Sequence, residues 1–319
     1  MGQKTNPIIF NLSSQNAEWK SKYIEKNREE SSILLYNNLA IWNYLNQIFK
    51  YYGLILYNWN IQYHKNSIVL FLFFFEKESK TKKLYKQNLK RIKKNKHFKS
   101  SAATYVNCPE LIHYLFTNIL SKDLNLFTNG KTIHIKARNL NKKFKTYIET
   151  NPIYLSESKK LLKPFKRFLK NAEFKELIKI FYHSIVERDS AKLIAEGITS
   201  YFVRHKKKHG FILSFFKKIL TTLINAKFSK VKGIKIVVNG RFNGAQRANK
   251  KIIQVGQIPL QSFNSFTSYY EDVAYTSNGT FGIKVWVSNK NILRTLFKLC
   301  FYNQKGQNTK KFEKEQFQN

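Results

Sequence analysis

Between residues 233 and 260 the chain reads GIKIVVNGRFNGAQRANKKIIQVGQIPL, and no other stretch limits the fold as tightly. The β-branched residues of IKIVV, and again those of KKIIQV, predict two strands, with Gly240 and Gly244 shaping the turn between them. A sheet of this kind must hide its apolar face, and the cover stands just upstream. Residues 190–228, SAKLIAEGITSYFVRHKKKHGFILSFFKKILTTLINAKF, predict two helices broken at Gly210, each apolar on one side and basic on the other. Downstream, SYYEDVAYTS and FGIKVWVS predict two more strands, and residues 291–301 a last helix. The expected domain, residues 190–303, is therefore α+β, with two helices packed on a four-stranded sheet and a polar tail over 304–319.

The N-terminal half predicts a second unit. Residues 1–31 read as an arm whose first part is polar and turn-rich, with Pro7 barring a helix from passing through it. From Ser32, Ile33, Leu34, Leu39, Ile41, Trp42, Leu45, Ile48 and Phe49 recur at helical spacing, and Gly53 supplies the stop. LILYNWNIQYH and SIVLFLFFFEK predict two strands joined at Lys65-Asn66, followed by a helix over 109–120 and a third strand over 132–137. These make an α+β unit over 32–138, interrupted by a strongly basic insertion at 79–100. Residues 139–189 read as a Lys-rich insertion with helical fragments around 164–186. The apolar run SIVLFLFFF has half the length a membrane-spanning helix needs, so it predicts a buried strand and no membrane partner.

Charge narrows the function. Against 57 Lys and Arg stand 19 Asp and Glu, a net charge of +38, which opposes compaction unless a polyanion neutralises it. A basic surface kept for solubility needs far less, and nucleic acid becomes the first expected partner. Between residues 197 and 270 there is no Asp or Glu at all, whereas acid–base catalysis and hard-metal sites draw on carboxylates. No catalytic residue, metal site or cofactor is expected. The candidate motifs agree. NGKT at 129–132 has Asn125 where a phosphate loop requires glycine, and it precedes a strand instead of following one. His205 and His209 have metal-pair spacing but enclose three lysines, and Ser214 with Lys217 lacks the companions of a serine–lysine nucleophile. Cys108 and Cys300 form no motif and read as free packing thiols. Enrichment in Lys, Asn, Ile, Phe and Tyr follows A/T-rich codons and points to an organellar gene.

Several of these stretches also resemble a known family, the small-subunit ribosomal protein S-three family. MGQKTNP is similar to its opening and AKLIAEGITS to its inter-domain helix. GIKIVVNGRFNGAQ with the following GQIPL, and TSNGTFGIKVWV, resemble its C-terminal signatures. The resemblance implies a KH-like (type II) N-terminal domain. It is a degenerate one, because residues 75–129 contain no glycine and so no GxxG loop, while the GxxG at 279–282 falls in a hairpin turn. It implies a structural, non-enzymatic constituent of a small ribosomal subunit that binds rRNA in the head and lines the mRNA entrance channel. The rRNA contacts it implies are Gly2, Gln3, Lys4, Asn6, Pro7, Arg241, Arg247, Lys250, Lys251 and Lys284. Those on the basic helix at the mRNA entrance are Arg204, Lys206, Lys207, Lys208, Lys217 and Lys218. Lys217 and Lys218 match the family's basic pair, whereas Asn249, Gln254 and Gln257 stand where the family usually has arginine.

The protein neighbours implied are of the S-ten, S-fourteen, S-four and S-five families, with lineage-specific proteins at the insertions. A start directly in the family motif implies synthesis inside the organelle, a mitochondrion in preference to a plastid. The competing expectation is a free-standing RNA-binding or RNA-processing factor with a KH-like fold.

Overall fold

The computed structural model describes residues 5–12, 21–23, 25, 27–64, 67–77, 120–127, 132–141, 160–161, 163–186, 191–205, 207, 209–226, 229–262 and 265–290. The basic insertion 79–100, most of the helix expected at 109–120, the Lys65-Asn66 turn, the last helix and the tail lie outside the described residues.

In the N-terminal unit, α1 (Pro7–Leu12) and the short β1 (Ser21–Lys22) precede α2 (Glu30–Tyr52), β2 (Leu54–Tyr63), β3 (Ser67–Glu76), α3 (Ser121–Leu126) and β4 (Thr132–Asn139). The sheet runs β1-β2-β3-β4, with β2 and β3 antiparallel and β4 parallel to β3. The α-β-β-α-β order of its main elements is that of the expected KH-like unit. Gly53 ends α2 in the left-handed region at φ 74, its N–H donating to Lys50 O, as the stop signal requires. Ile41, Leu45 and Phe49 of α2 and Leu124 of α3 pack on Trp59, Ile61, Leu70 and Leu72, so both helices cover one face of the sheet. The apolar run expected as a buried strand is β3.

Pro7 does not keep the arm free of helix. It is the first residue of α1, where a missing N–H costs nothing, and Asn6 Oδ1 caps the turn by accepting the Ile8 N–H at 3.0 Å. Helix α1 lies against the strand Thr267–Thr276, so this part of the arm docks on the other unit.

The C-terminal unit comprises α6 (Ala191–Arg204), α7 (His209–Ile224), β5 (Val231–Gly240), a 3-10 turn Phe242–Gly244, β6 (Asn249–Gly256), β7 (Thr267–Thr276) and β8 (Gly279–Asn289). Its sheet is antiparallel throughout, in the order β6-β5-β8-β7. Ile236 lies opposite both Ile253 and Val285, and this row packs with Phe202 of α6 and Phe216 and Leu220 of α7. Burying each such side chain stabilises the fold by about 1.5–3 kcal/mol. Gly240 is needed where it stands, because a Cβ there would come within 2.2 Å of Phe281 Cδ1.

A third helix joins this core from the stretch expected as a Lys-rich insertion. After a 3-10 turn Lys163–Phe165 come α4 (Lys166–Leu169) and α5 (Ala172–Val186). Leu177, Ile178, Phe181 and Ile185 of α5 are buried with Phe202 and Phe216. The two units also meet directly. Ile55, Phe75 and Leu140 pack on Ile180 and Leu193, and buried Lys192 sets its Nζ 4.2 Å from the ring centre of Trp42 and 3.4 Å from Asn46 Oδ1. Glu196 stands 3.8 Å from Lys192, yet burial outweighs that pairing and holds its carboxyl above the usual range.

Candidate nucleic-acid interface

The loop after β5 gathers the cations expected there. Asn243 takes a left-handed conformation at φ 56 and Gly244 follows at φ 80, which throws the chain sharply into β6. Arg241 closes the loop by donating from Nε to Ala245 O at 2.7 Å, leaving the rest of its guanidinium exposed. Arg247, Lys250 and Lys251 are exposed beside it, and Lys251 Nζ lies 5.1 Å from the ring centre of Phe242. The β7–β8 turn is a near neighbour, since a Cβ at Gly279 would meet Arg241 Cδ at 3.8 Å. The structure therefore brings Arg241, Arg247, Lys250 and Lys251 to one end of the domain.

Lys284 is elsewhere. It sits mid-strand opposite Val237, on the sheet face turned away from α6 and α7, with its Nζ 3.7 Å from Glu271 Oε2. Asn6 caps α1 and Pro7 is its first residue, and Pro7 is buried. Gly2, Gln3 and Lys4 lie outside the described residues, as do Lys206 and Lys208.

Lys217 and Lys218 are exposed on α7, next to the buried pair Ile219 and Leu220, so they point away from the sheet. Lys207 is exposed between α6 and α7. Arg204 is partly committed, its Nη1 lying 3.4 Å from Glu173 Oε1. Ser214 donates to Phe211 O at 2.6 Å within its own helix, which accounts for the hydroxyl without any nucleophilic role.

The histidine pair behaves unlike a metal site. His205 pairs with Glu173, whose carboxylate the neighbouring His205 and Arg204 hold below its usual range against the opposing pull of burial. His209 is buried, with Nδ1 accepting the Asn243 N–H at 3.1 Å and Nε2 donating to His205 O at 2.9 Å. Both ring nitrogens are occupied by protein. Among the described residues no cluster of three His, Cys, Asp or Glu could hold a metal ion, and no helix is long and apolar enough to cross a membrane. The structural part played by His209 has no sequence signal, because the HKKKH run reads only as charge.

Three helices against an antiparallel four-stranded sheet, with cations gathered on its end loop and outer helix, form an α+β module with a basic surface. Residues 213–287 match the family described as Ribosomal protein S3, C-terminal domain. Small ribosomal subunit protein uS3c of Emiliania huxleyi is 46% identical over 65 residues, 20% of this chain and 30% of that protein. The uS3 protein of Karelsulcia muelleri is 36% identical over 96 residues, 28% and 42% of the two chains. That of Crocosphaera subtropica is 35% identical over 116 residues, 36% and 45%. The matches thus span less than half the length of these relatives.

Proposed function

We propose that the protein is a structural, non-enzymatic constituent of the small subunit of an organellar ribosome, in our reading the mitochondrial one. The observation that carries this is the coincidence of the family match with the loop cations: Arg241, Arg247, Lys250 and Lys251 all fall within the matched residues 213–287. In this reading those four, with Lys284 and the arm residues Gly2, Gln3, Lys4, Asn6 and Pro7, contact rRNA in the head. Arg204, Lys206, Lys207, Lys208, Lys217 and Lys218 face the mRNA entrance, where exposed ammonium groups hold phosphates without reading sequence. Neighbours of the S-ten, S-fourteen, S-four and S-five families, and lineage-specific proteins at the insertions, complete the site. No cofactor is required. The organellar assignment draws support from the A/T-driven composition and from relatives named uS3c in Emiliania huxleyi, Tetradesmus obliquus and Chara vulgaris. A density map of the assembled small subunit tests the reading. The loop at Arg241 is expected against rRNA and α7 beside the message; a map with another chain in that place would overturn it.

A further inference from the structure

The second face of the N-terminal sheet packs on α5 and α6 at one end, through Ile55 and Phe75, and the small-subunit reading leaves the rest of it unused. Since α2 and α3 cover the side carrying Ile61, Leu70 and Leu72, strand alternation turns the intervening residues the other way. The register then aligns them in rows. Phe71 of β3 lies between Asn60 of β2 and Lys136 of β4, and Phe73 lies between Asn58 and Arg138. Gln62, Val69 and His134 complete a third row.

Both phenylalanines are half-buried, whereas His134, Lys136 and Arg138 are exposed. Lys136 Nζ stands 5.4 Å from the ring centre of Phe71. Asn60 Oδ1 is buried with no hydrogen-bond partner. None of these nine positions is a carboxylate, and the nearest, Glu76 at the end of β3, accepts a hydrogen bond from Asn139 Nδ2 at 3.3 Å.

We propose that this face binds single-stranded RNA, with bases stacked on Phe71 and Phe73 and the backbone following His134, Lys136 and Arg138. Two rings two residues apart on a central strand stand on one face, about 7 Å apart along the strand, which suits successive unstacked bases. The cations lie along one flank, where a phosphate chain can run while its bases turn inward. Gln62 lies on the other flank, where its amide can meet base edges, while Asn58 Oδ1 accepts the Trp59 N–H at 2.9 Å and Asn60 Oδ1 is buried. Charge chooses RNA over a protein: three basic or protonatable side chains without a carboxylate complement a polyanion, and an apolar protein surface would leave them unpaired. Residues 79–100, which follow β3 in sequence, carry the same sign of charge. A KH-like unit without a GxxG loop would in this way hold RNA on its sheet. The proposal goes beyond the ribosomal reading and does not depend on it.

The test uses the full chain and a fluorescent single-stranded oligoadenylate of about ten nucleotides, titrated at several salt concentrations. Phe71→Leu with Phe73→Leu keeps the apolar volume and the charge, and should weaken binding about ten- to hundredfold while leaving the salt slope unchanged. Lys136→Ala with Arg138→Ala, both exposed, should weaken binding and make the salt slope shallower by about 1.4. Ultraviolet cross-linking of the unaltered chain should map to β3 and β4, which guards against a folding defect in the variants. Full affinity in the phenylalanine variant, with cross-links mapping elsewhere, would overturn the proposal. So would a variant that keeps its RNA affinity but no longer enters small subunits, since the face would then dock a protein. Failure of the unaltered chain to sediment with small subunits would count against the ribosomal reading alone.

Discussion

His209 and Asn243 hold each other through two hydrogen bonds. The His209 N–H donates to Asn243 Oδ1 at 3.1 Å, and the Asn243 N–H donates to His209 Nδ1 at 3.1 Å. The first bond caps the N-terminus of α7 from a distant loop, and the second sets Nδ1 as acceptor, leaving Nε2 to donate to His205 O. The start of the helix that presents Lys217 and Lys218 is thereby tied to the loop that presents Arg241, so the two basic surfaces keep one mutual orientation. His209→Ala leaves a buried N–H without its acceptor and opens a cavity, and should cost about 2–4 kcal/mol. Asn243→Gly keeps the left-handed backbone and loses only the cap, at about 1 kcal/mol. Urea unfolding of the two variants should rank them in that order, and equal stabilities would contradict the pairing.

Burial lowers the pKa of His183 to about 3, with the nearby Lys179 adding to the effect. In the unfolded chain it protonates near 6.5, so across the interval between the two values the unfolded state binds the extra proton. Its contribution to stability is therefore full above about 6.5 and is lost as pH falls toward 3. Melting temperature should drop across this window, and His183→Leu should flatten the profile relative to the parent. Parallel pH profiles for the two proteins would remove His183 as the cause.

Gly240→Ala places a methyl 2.2 Å from Phe281 Cδ1, so the ring must shift within a closed core. The expected loss is about 1–3 kcal/mol, and Phe281→Leu in the same chain should recover part of it. A double-mutant cycle in denaturant measures the coupling. Additive losses would mean that the two residues do not compete for the space.

Exposed Lys217 and Lys218 touch none of the core that holds α7 to the sheet. Replacing both by Ala should change stability by less than about 0.5 kcal/mol. In the proposed role it should slow passage through structured message while the subunits still assemble. Loss of assembly would instead make these lysines rRNA contacts.

The C-terminal sheet was legible because IKIVV and KKIIQV are short, β-branched runs bounded by glycines. Gly53 was likewise readable as a helix stop, whereas Gly240, expected to shape the turn, ends β5 and is required by the closeness of Phe281. Helical character around α5 was legible, since Leu177, Phe181 and Ile185 keep a helical period, but its place in the core was not, because it stands within a Lys-rich stretch. The site was legible as charge but not as geometry. Sequence lists Arg241 and Lys284 together, and only the strand register shows that one lies at the end of the sheet and the other on its outer face. The same register creates the pairing of Phe71 with Lys136, residues 65 positions apart that no local pattern connects.

The most direct measurement is the protein content of small ribosomal subunits purified from the organelle on high-salt gradients, quantified by mass spectrometry. A constituent of the subunit should be present at one copy per particle and should stay with it as salt rises. Its absence from washed subunits, or recovery only in RNA-bound fractions lighter than the subunit, would contradict the ribosomal assignment.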